Sequence, residues 1–161
     1  MIAFTALDLP AVARGLHIAA IVHWIGGLAF VTFVILPNLL QTDASERLAL
    51  FDRIERRFAG QARISTLLAG ATGFYLVDVF GHWRNFAEPR FWWLHAMLAL
   101  WTLFTIMLFV AEPLFLHGWF DRYAERDPDA AFRLALRGHR VLSVLAFVTV
   151  IGAGAGAHGM F

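Results

Sequence analysis

Two histidines lie at matching positions near the start of two apolar runs, and an arginine precedes each of them. His17 follows Arg14 by three residues, and His95 follows Arg90 by five. Histidine is a common axial ligand of haem iron, and the guanidinium fork of arginine binds carboxylates such as the haem propionates. Facing helices of a bundle can hold a cofactor between such side chains. The pattern predicts a b-type haem held by His17 and His95, with Arg14 and Arg90 on its propionates.

The runs that carry these histidines are long enough to cross a membrane. The chain is 60% hydrophobic and 16% charged, against about 25% charged in an ordinary soluble domain. Asp, Glu, Lys and Arg are missing from Gly15 to Leu36, from Phe91 to Ala111 and from Val141 to Phe161. About 20 apolar helical residues cross the hydrocarbon core. Because these three runs have no polar face, we reject a soluble bundle of buried helices.

A fourth run, from Ile64 to Val77, is shorter but has small residues spaced four apart, which let helices approach closely in lipid. We therefore predict an all-α integral membrane four-helix bundle that forms a single domain over 1–161. The first run is too long for the apolar part of a signal peptide, so we expect it to be retained. The predicted spans cover about 12–36, 62–81, 91–115 and 139–159.

The arginines predict the orientation of the bundle. All 13 basic residues are arginine, and five lie in or beside each of the two longer loops, against three on the other side. Cytoplasmic loops collect basic residues, so we expect both longer loops in the cytoplasm and both termini outside, in a bacterial inner membrane. A short amphipathic helix is predicted in each longer loop. In the first, ERLALFDRIERRF has apolar residues three and four apart, which suits a helix at the membrane surface.

This orientation gives each remaining site residue a depth. His17 and His95 both lie about 8 Å below the outer surface, at about 1.5 Å per residue. Trp24 lies one heptad below His17 and is predicted to wall the haem pocket. His117 and His139 meet the inner surface, where they could hold a second haem or be ordinary interfacial residues. Interhelical hydrogen bonding is the structural alternative for any of these histidines.

Two stretches resemble a known family. RGLHIAAIVHWIGGLAFVTFVILP resembles the first helix of the copper-resistance protein D family, where a pattern like LHxxAxxxWxGGxxF precedes a proline. WLHAMLAL resembles that family's third helix and the WLHxKL stretch of the related J-type protoporphyrinogen oxidases. The resemblance implies a four-helix fold and haem b at His17 and His95. Met97 replaces the oxidase-like lysine, which weighs against protoporphyrinogen oxidation.

Three functions are open from these residues. The first is a b-type haem protein that moves electrons between the quinone pool or a periplasmic donor and another acceptor; whether it is also an enzyme, a haem-dependent membrane oxidoreductase, stays open. The second is a copper-handling protein with His17, His23 and His95 as a metal path, although the soft ligands of Cu(I) are few: no Cys, and only Met97 and Met107 inside spans. The third is a structural subunit of a membrane complex.

The expected partners follow from the same residues. They are the lipid bilayer, a quinone or redox protein, and a second copy of the chain if the Gly and Ala rows of span four pack against it and not inside the bundle. We expect no nucleic-acid partner.

Overall fold

The structure is a computed structural model that describes residues 8–160, and within this part of the chain every regular element is helical. Two of the long helices pass through π-helical segments, and two short 3-10 segments connect α3 to α4. In chain order the elements are α1 (Leu9–Phe30), a π segment (Val31–Ile35), α2 (Leu36–Leu39), α3 (Ala44–Val79), 3-10 segments (His82–Ala87 and Pro89–Phe91), α4 (Trp92–Ile106), a π segment (Met107–Leu116), α5 (His117–Arg126) and α6 (Pro128–Ala157).

Within residues 8–160, three helical stretches are long and apolar enough to cross a membrane. They are Leu9–Leu39, Pro89–Arg126 and Pro128–Ala157. Large apolar side chains along them face outward: Leu114 is 74% exposed and Ile151 is 69% exposed. Outward apolar side chains on long helices suit a lipid environment, so the chain is a membrane protein whose described part is built of helices. A fourth crossing by α3 and the placement of both termini outside stay predictions.

The segments predicted as separate loop helices are extensions of the long helices. ERLALFDRIERRF forms the first part of α3, which runs unbroken for 36 residues. At about 1.5 Å per residue this is about 54 Å, well beyond the roughly 30 Å of a hydrocarbon core. Gly60 does not break the helix, and α3 contains no proline. The helix predicted in the second loop is likewise part of longer helical stretches. α5 follows the π segment Met107–Leu116 without a break, and α6 begins at Pro128. We name the end that holds α2, α5 and the first turns of α3 the inner end, and the opposite end the outer end.

α1 and α3 pack as an antiparallel pair along their length. His17 contacts Thr72, and His23 contacts Ser65. Further toward the inner end, Gly27 lies against the ring of Phe58, with no room for a Cβ. Rising numbers on α1 therefore meet falling numbers on α3, so α3 accompanies α1 through its apolar stretch.

Two hydrophobic cores fill the bundle. The outer core joins α1, α3, α4 and α6, and includes Trp24, Leu28, Leu100, Phe104 and Ala146. The inner core includes Leu36, Leu39, Phe51, Phe132 and Leu136. Trp92 and Trp93 lie over Gly152 and Gly156, where a Cβ would overlap each indole. The α4–α6 contact is therefore a close aromatic-on-glycine contact.

One buried arginine fixes the inner end. Arg47 is 5% exposed and donates to Asp129 Oδ1 at 2.6 Å and to the carbonyl of Thr42 at 2.9 Å. Its guanidinium also lies 5.6 Å from the centre of the Phe132 ring. Arg47 thus ties the start of α3 to the start of α6, which sets the position of the inner end of both helices.

Candidate functional site

His17 lies between α1 and α3 with one ring nitrogen held and the other open. Its Nδ1 is 3.0 Å from the Ala69 carbonyl oxygen and 3.0 Å from Thr72 Oγ1. A carbonyl oxygen only accepts, so Nδ1 carries the proton and Nε2 carries the lone pair. Nε2 has no hydrogen bond to any residue that the structure describes. A fixed Nδ1–H with an open Nε2 is the arrangement that metal-binding histidines adopt.

The His95 ring is held by backbone carbonyls of the connection between α3 and α4. Its Nδ1 lies 3.2 Å from the Phe91 carbonyl oxygen, and its Nε2 lies 3.0 Å from that of Phe86. A neutral imidazole has one N–H, so it can donate to only one of these two oxygens. Because His17 faces α3 while His95 faces the 3-10 segment between α3 and α4, the two imidazoles do not form a pair here.

The two predicted propionate arginines are also engaged elsewhere. The Arg14 guanidinium lies 5.2 Å from the centre of the Phe80 ring. Arg90 donates from Nε to Glu88 Oε2 at 2.7 Å, so a carboxylate of the chain already occupies part of its fork. The residue types thus suit a haem, and His17 fits the role of an axial ligand. The bis-histidine pair is not assembled, because His95 would have to leave both carbonyls to reach a shared iron.

Trp24 lies in the outer core rather than beside His17. It is 4% exposed and packs edge-to-face on Phe104 at 4.9 Å between ring centres. Its indole nitrogen has no hydrogen-bond partner among the described residues. Trp24 lies one heptad after His17 on α1. Its ring packs against α4, whereas the His17 ring contacts α3.

His117 and His139 are not brought together at the inner end. The Nδ1–H of His139 donates to the Ala135 carbonyl of its own helix at 3.0 Å. His117 instead contacts two carboxylates: its Nδ1 is 3.5 Å from Glu55 Oε2 and its Nε2 is 3.5 Å from Asp121 Oδ2. The two histidines share no hydrogen bond or ring contact in the described chain.

The sequence reasoning missed the carboxylates around His117. Ligand atoms of Asp52, His117 and Asp121 all lie within 4.8 Å of one another. We name these three residues with Glu55 the inner cluster. The spacing of His117 and Asp121 on α5 is a signal that the sequence offers, since residues four apart share a helix face. Asp52 and Glu55 come from α3, and the sequence does not give the register that places them opposite α5.

The inner cluster carries an excess of negative charge. Burial raises the pKa of Glu55, and the nearby carboxylates of Glu112, Asp52 and Asp121 raise it further, while His117 lowers it. Glu112 pairs with Arg63. Together with Glu112 and Arg63, the inner cluster holds four carboxylates and one guanidinium, a formal charge of −4 + 1 = −3, or −2 when His117 is protonated. Such a group of side chains attracts cations.

Comparison of the chain with protein-family models, with curated proteins and with solved structures finds no match. The likeness to the copper-resistance protein D family therefore depends on the two short stretches in spans one and three.

Proposed function

We propose that this chain is a membrane protein that binds haem b and transfers electrons, with His17 as one axial ligand. The observation that supports this most directly is the open Nε2 of an imidazole whose Nδ1–H is fixed on the Ala69 carbonyl and Thr72. Such a hydrogen bond sets the tautomer and orients the ring toward a metal. His95 is proposed as the second ligand, after its ring leaves the carbonyls of Phe86 and Phe91.

In this function, the protein positions the His17 ring and shields the site from water. Thr72 donates its hydroxyl proton to the Leu68 carbonyl at 2.6 Å, so its lone pairs face the His17 ring and keep the proton on Nδ1. The outer core below His17 is apolar and excludes water. A bound haem supplies one-electron chemistry, whose potential depends on ligand type, burial and hydrogen bonding. A quinone or a redox protein is the proposed partner.

We propose four crossings, with both termini outside a bacterial inner membrane. α3 runs antiparallel to α1 through the contacts of His17 and His23, so a membrane around α1 also surrounds the second half of α3. The charged first half of α3 then lies on the inner side. Five arginines in or beside each longer loop support a cytoplasmic inner end.

A visible spectrum of purified protein from cells well supplied with porphyrin tests the proposal. We expect a Soret and α-band pair after dithionite reduction, with one haem per chain. His17→Ala and His95→Ala should each abolish the bands. His82→Ala is the matched control, because His82 lies at the outer end, where its ring contacts Asn85 and the Phe80 ring. This variant should keep its haem.

Four outcomes would overturn the proposal. A colourless wild-type protein, or full haem in His17→Ala, removes its basis. Stoichiometric copper without haem would favour the copper-handling function. Neither cofactor, together with loss of a larger membrane complex on deletion of the gene, would favour a structural subunit.

A further inference from the structure

We propose that Asp52, His117 and Asp121 form a binding site for a divalent first-row metal ion at the inner end of the bundle. The site is independent of the proposed haem, since none of its residues contacts His17 or His95. Two helices build it: α3 supplies Asp52, and α5 supplies His117 and Asp121. The ligand atoms of the three side chains lie within 4.8 Å of one another.

The orientation of His117 suits a metal ligand. Its Nδ1 faces Glu55 Oε2 at 3.5 Å, and its Nε2 faces Asp121 Oδ2 at 3.5 Å. A carboxylate behind one ring nitrogen, with the other nitrogen directed toward the site, is the usual surrounding of a metal-binding imidazole. Glu55 is therefore a positioning residue that holds the proton on Nδ1, which leaves Nε2 to bind the ion.

Two carboxylate oxygens at the site are closed off without a partner. Oδ1 of Asp52 and Oδ1 of Asp121 are inaccessible to solvent and accept no hydrogen bond from any described residue. Burying a carboxylate oxygen without a donor or a cation is costly. The formal charge of −3 over Asp52, Glu55, Asp121, Glu112 and Arg63 adds to this cost. A divalent ion would meet both demands, because it supplies two positive charges and coordinates the oxygens.

The donor set indicates the class of ion. One imidazole nitrogen with carboxylate oxygens suits Zn²⁺, Mn²⁺ or Fe²⁺, whereas Cu(I) prefers sulfur ligands and Ca²⁺ prefers oxygen alone. Ligand atoms around a tetrahedral zinc are about 3.3 Å apart for bonds of about 2.0 Å. To bind a tetrahedral ion, the ligand atoms of the three side chains would therefore approach one another by at most about 1.5 Å. Three protein ligands also leave a position for water or substrate.

Titration of detergent-purified, EDTA-treated full-length protein with Zn²⁺ and with Mn²⁺ tests the site. We expect one ion per chain by calorimetry and by metal analysis after dialysis. Asp52→Asn, Asp121→Asn and His117→Ala should each weaken the affinity by more than about 100-fold, and Glu55→Gln by about 10- to 100-fold. Asp43→Asn is the control, because Asp43 is exposed and its side chain caps nothing.

The two asparagine variants keep side-chain size, so their helical circular dichroism and elution volume should match the wild type. The site would be refuted if neither ion binds stoichiometrically, or if folded Asp52→Asn and Asp121→Asn bind as tightly as Asp43→Asn. His17→Ala should leave ion binding unchanged. A colourless protein that binds one ion would thus refute the haem and support this site.

Discussion

The Nε–H of Arg63 donates to the carbonyl oxygen of Leu108, 3.0 Å away, at the turn that Pro113 leaves incomplete. Leu108 and Pro113 lie in the π-helical segment Met107–Leu116. In a π-helix the carbonyl of residue i accepts from the N–H of residue i+5, and for Leu108 that residue is proline, which has no N–H. Arg63 of α3 supplies the missing donor and also pairs with Glu112 of the same segment. This relationship explains how a proline is accommodated in a membrane helix.

Arg63→Ala should destabilise the bundle by about 1–3 kcal/mol. It leaves Glu112 without its cation and the Leu108 carbonyl without its donor, and breaking a buried ion pair costs about 3–5 kcal/mol. The side chains of Arg63 and Glu112 are 34% and 22% exposed, so we expect a smaller loss. Unfolding in mixed detergent micelles measures it. Arg57→Ala, at an exposed position on the same helix, should change stability by less than about 0.5 kcal/mol; equal losses would contradict this role.

Pro113→Ala should reduce the cost of losing Arg63. Alanine restores an N–H that the Leu108 carbonyl can accept, so the carbonyl no longer depends on α3. A double-mutant cycle with Arg63→Ala and Pro113→Ala should give a coupling of about 1 kcal/mol, the net value of one hydrogen bond. Strict additivity of the two substitutions would show that Arg63 acts through Glu112 alone.

The contribution of Glu55 to the stability of the metal-free protein should fall as pH rises above about 4.5. Burial raises the pKa of this carboxyl from its usual 4.5, so the folded state holds a proton that the unfolded state has released. The stabilisation that Glu55 contributes is then complete below pH 4.5, and it is lost as pH rises through the folded-state pKa of this carboxyl. Unfolding midpoints between pH 4 and 8 measure this loss.

Glu55→Gln is the comparison, because it removes this carboxyl and leaves Asp52, Asp121, Glu112 and His117 in place. The midpoint of the variant should fall less with rising pH than that of the wild type. Parallel curves would exclude Glu55 as the group responsible.

Gly70→Ala should destabilise the contact between α3 and α4 by about 1–3 kcal/mol, the usual cost of overpacking. A Cβ at Gly70 would lie 2.6 Å from Cζ2 of Trp101, and Trp101 donates its indole N–H to the Thr66 carbonyl at 2.9 Å. Moving the indole would break that bond. A Cβ at Gly26 would have no neighbouring atom within 4 Å, so Gly26→Ala should not reduce stability. Detergent unfolding of both variants distinguishes a packing effect from a general effect of glycine.

The apolar runs predicted the helices well, because burial in lipid demands long uncharged stretches that composition alone reveals. The sequence could not predict which way His17 turns. Its ring is fixed by a carbonyl and a hydroxyl on α3, and helix rotation depends on contacts such as Gly27 against Phe58. Equal depth of His17 and His95 therefore did not predict the direction of either ring. Asp52 was missed for the same reason, since its partners lie on α5.

Because α3 is continuous, it carries residues of two distant sites on one helix. Thr72, which contacts His17, and Asp52 in the inner cluster are 20 residues apart on one uninterrupted helix, a separation of about 30 Å. No break lies between the two residues, so α3 fixes both the distance between them and the angle between the directions in which they project. The register of α3 against α1 therefore also determines which of its carboxylates reach α5 at the inner end.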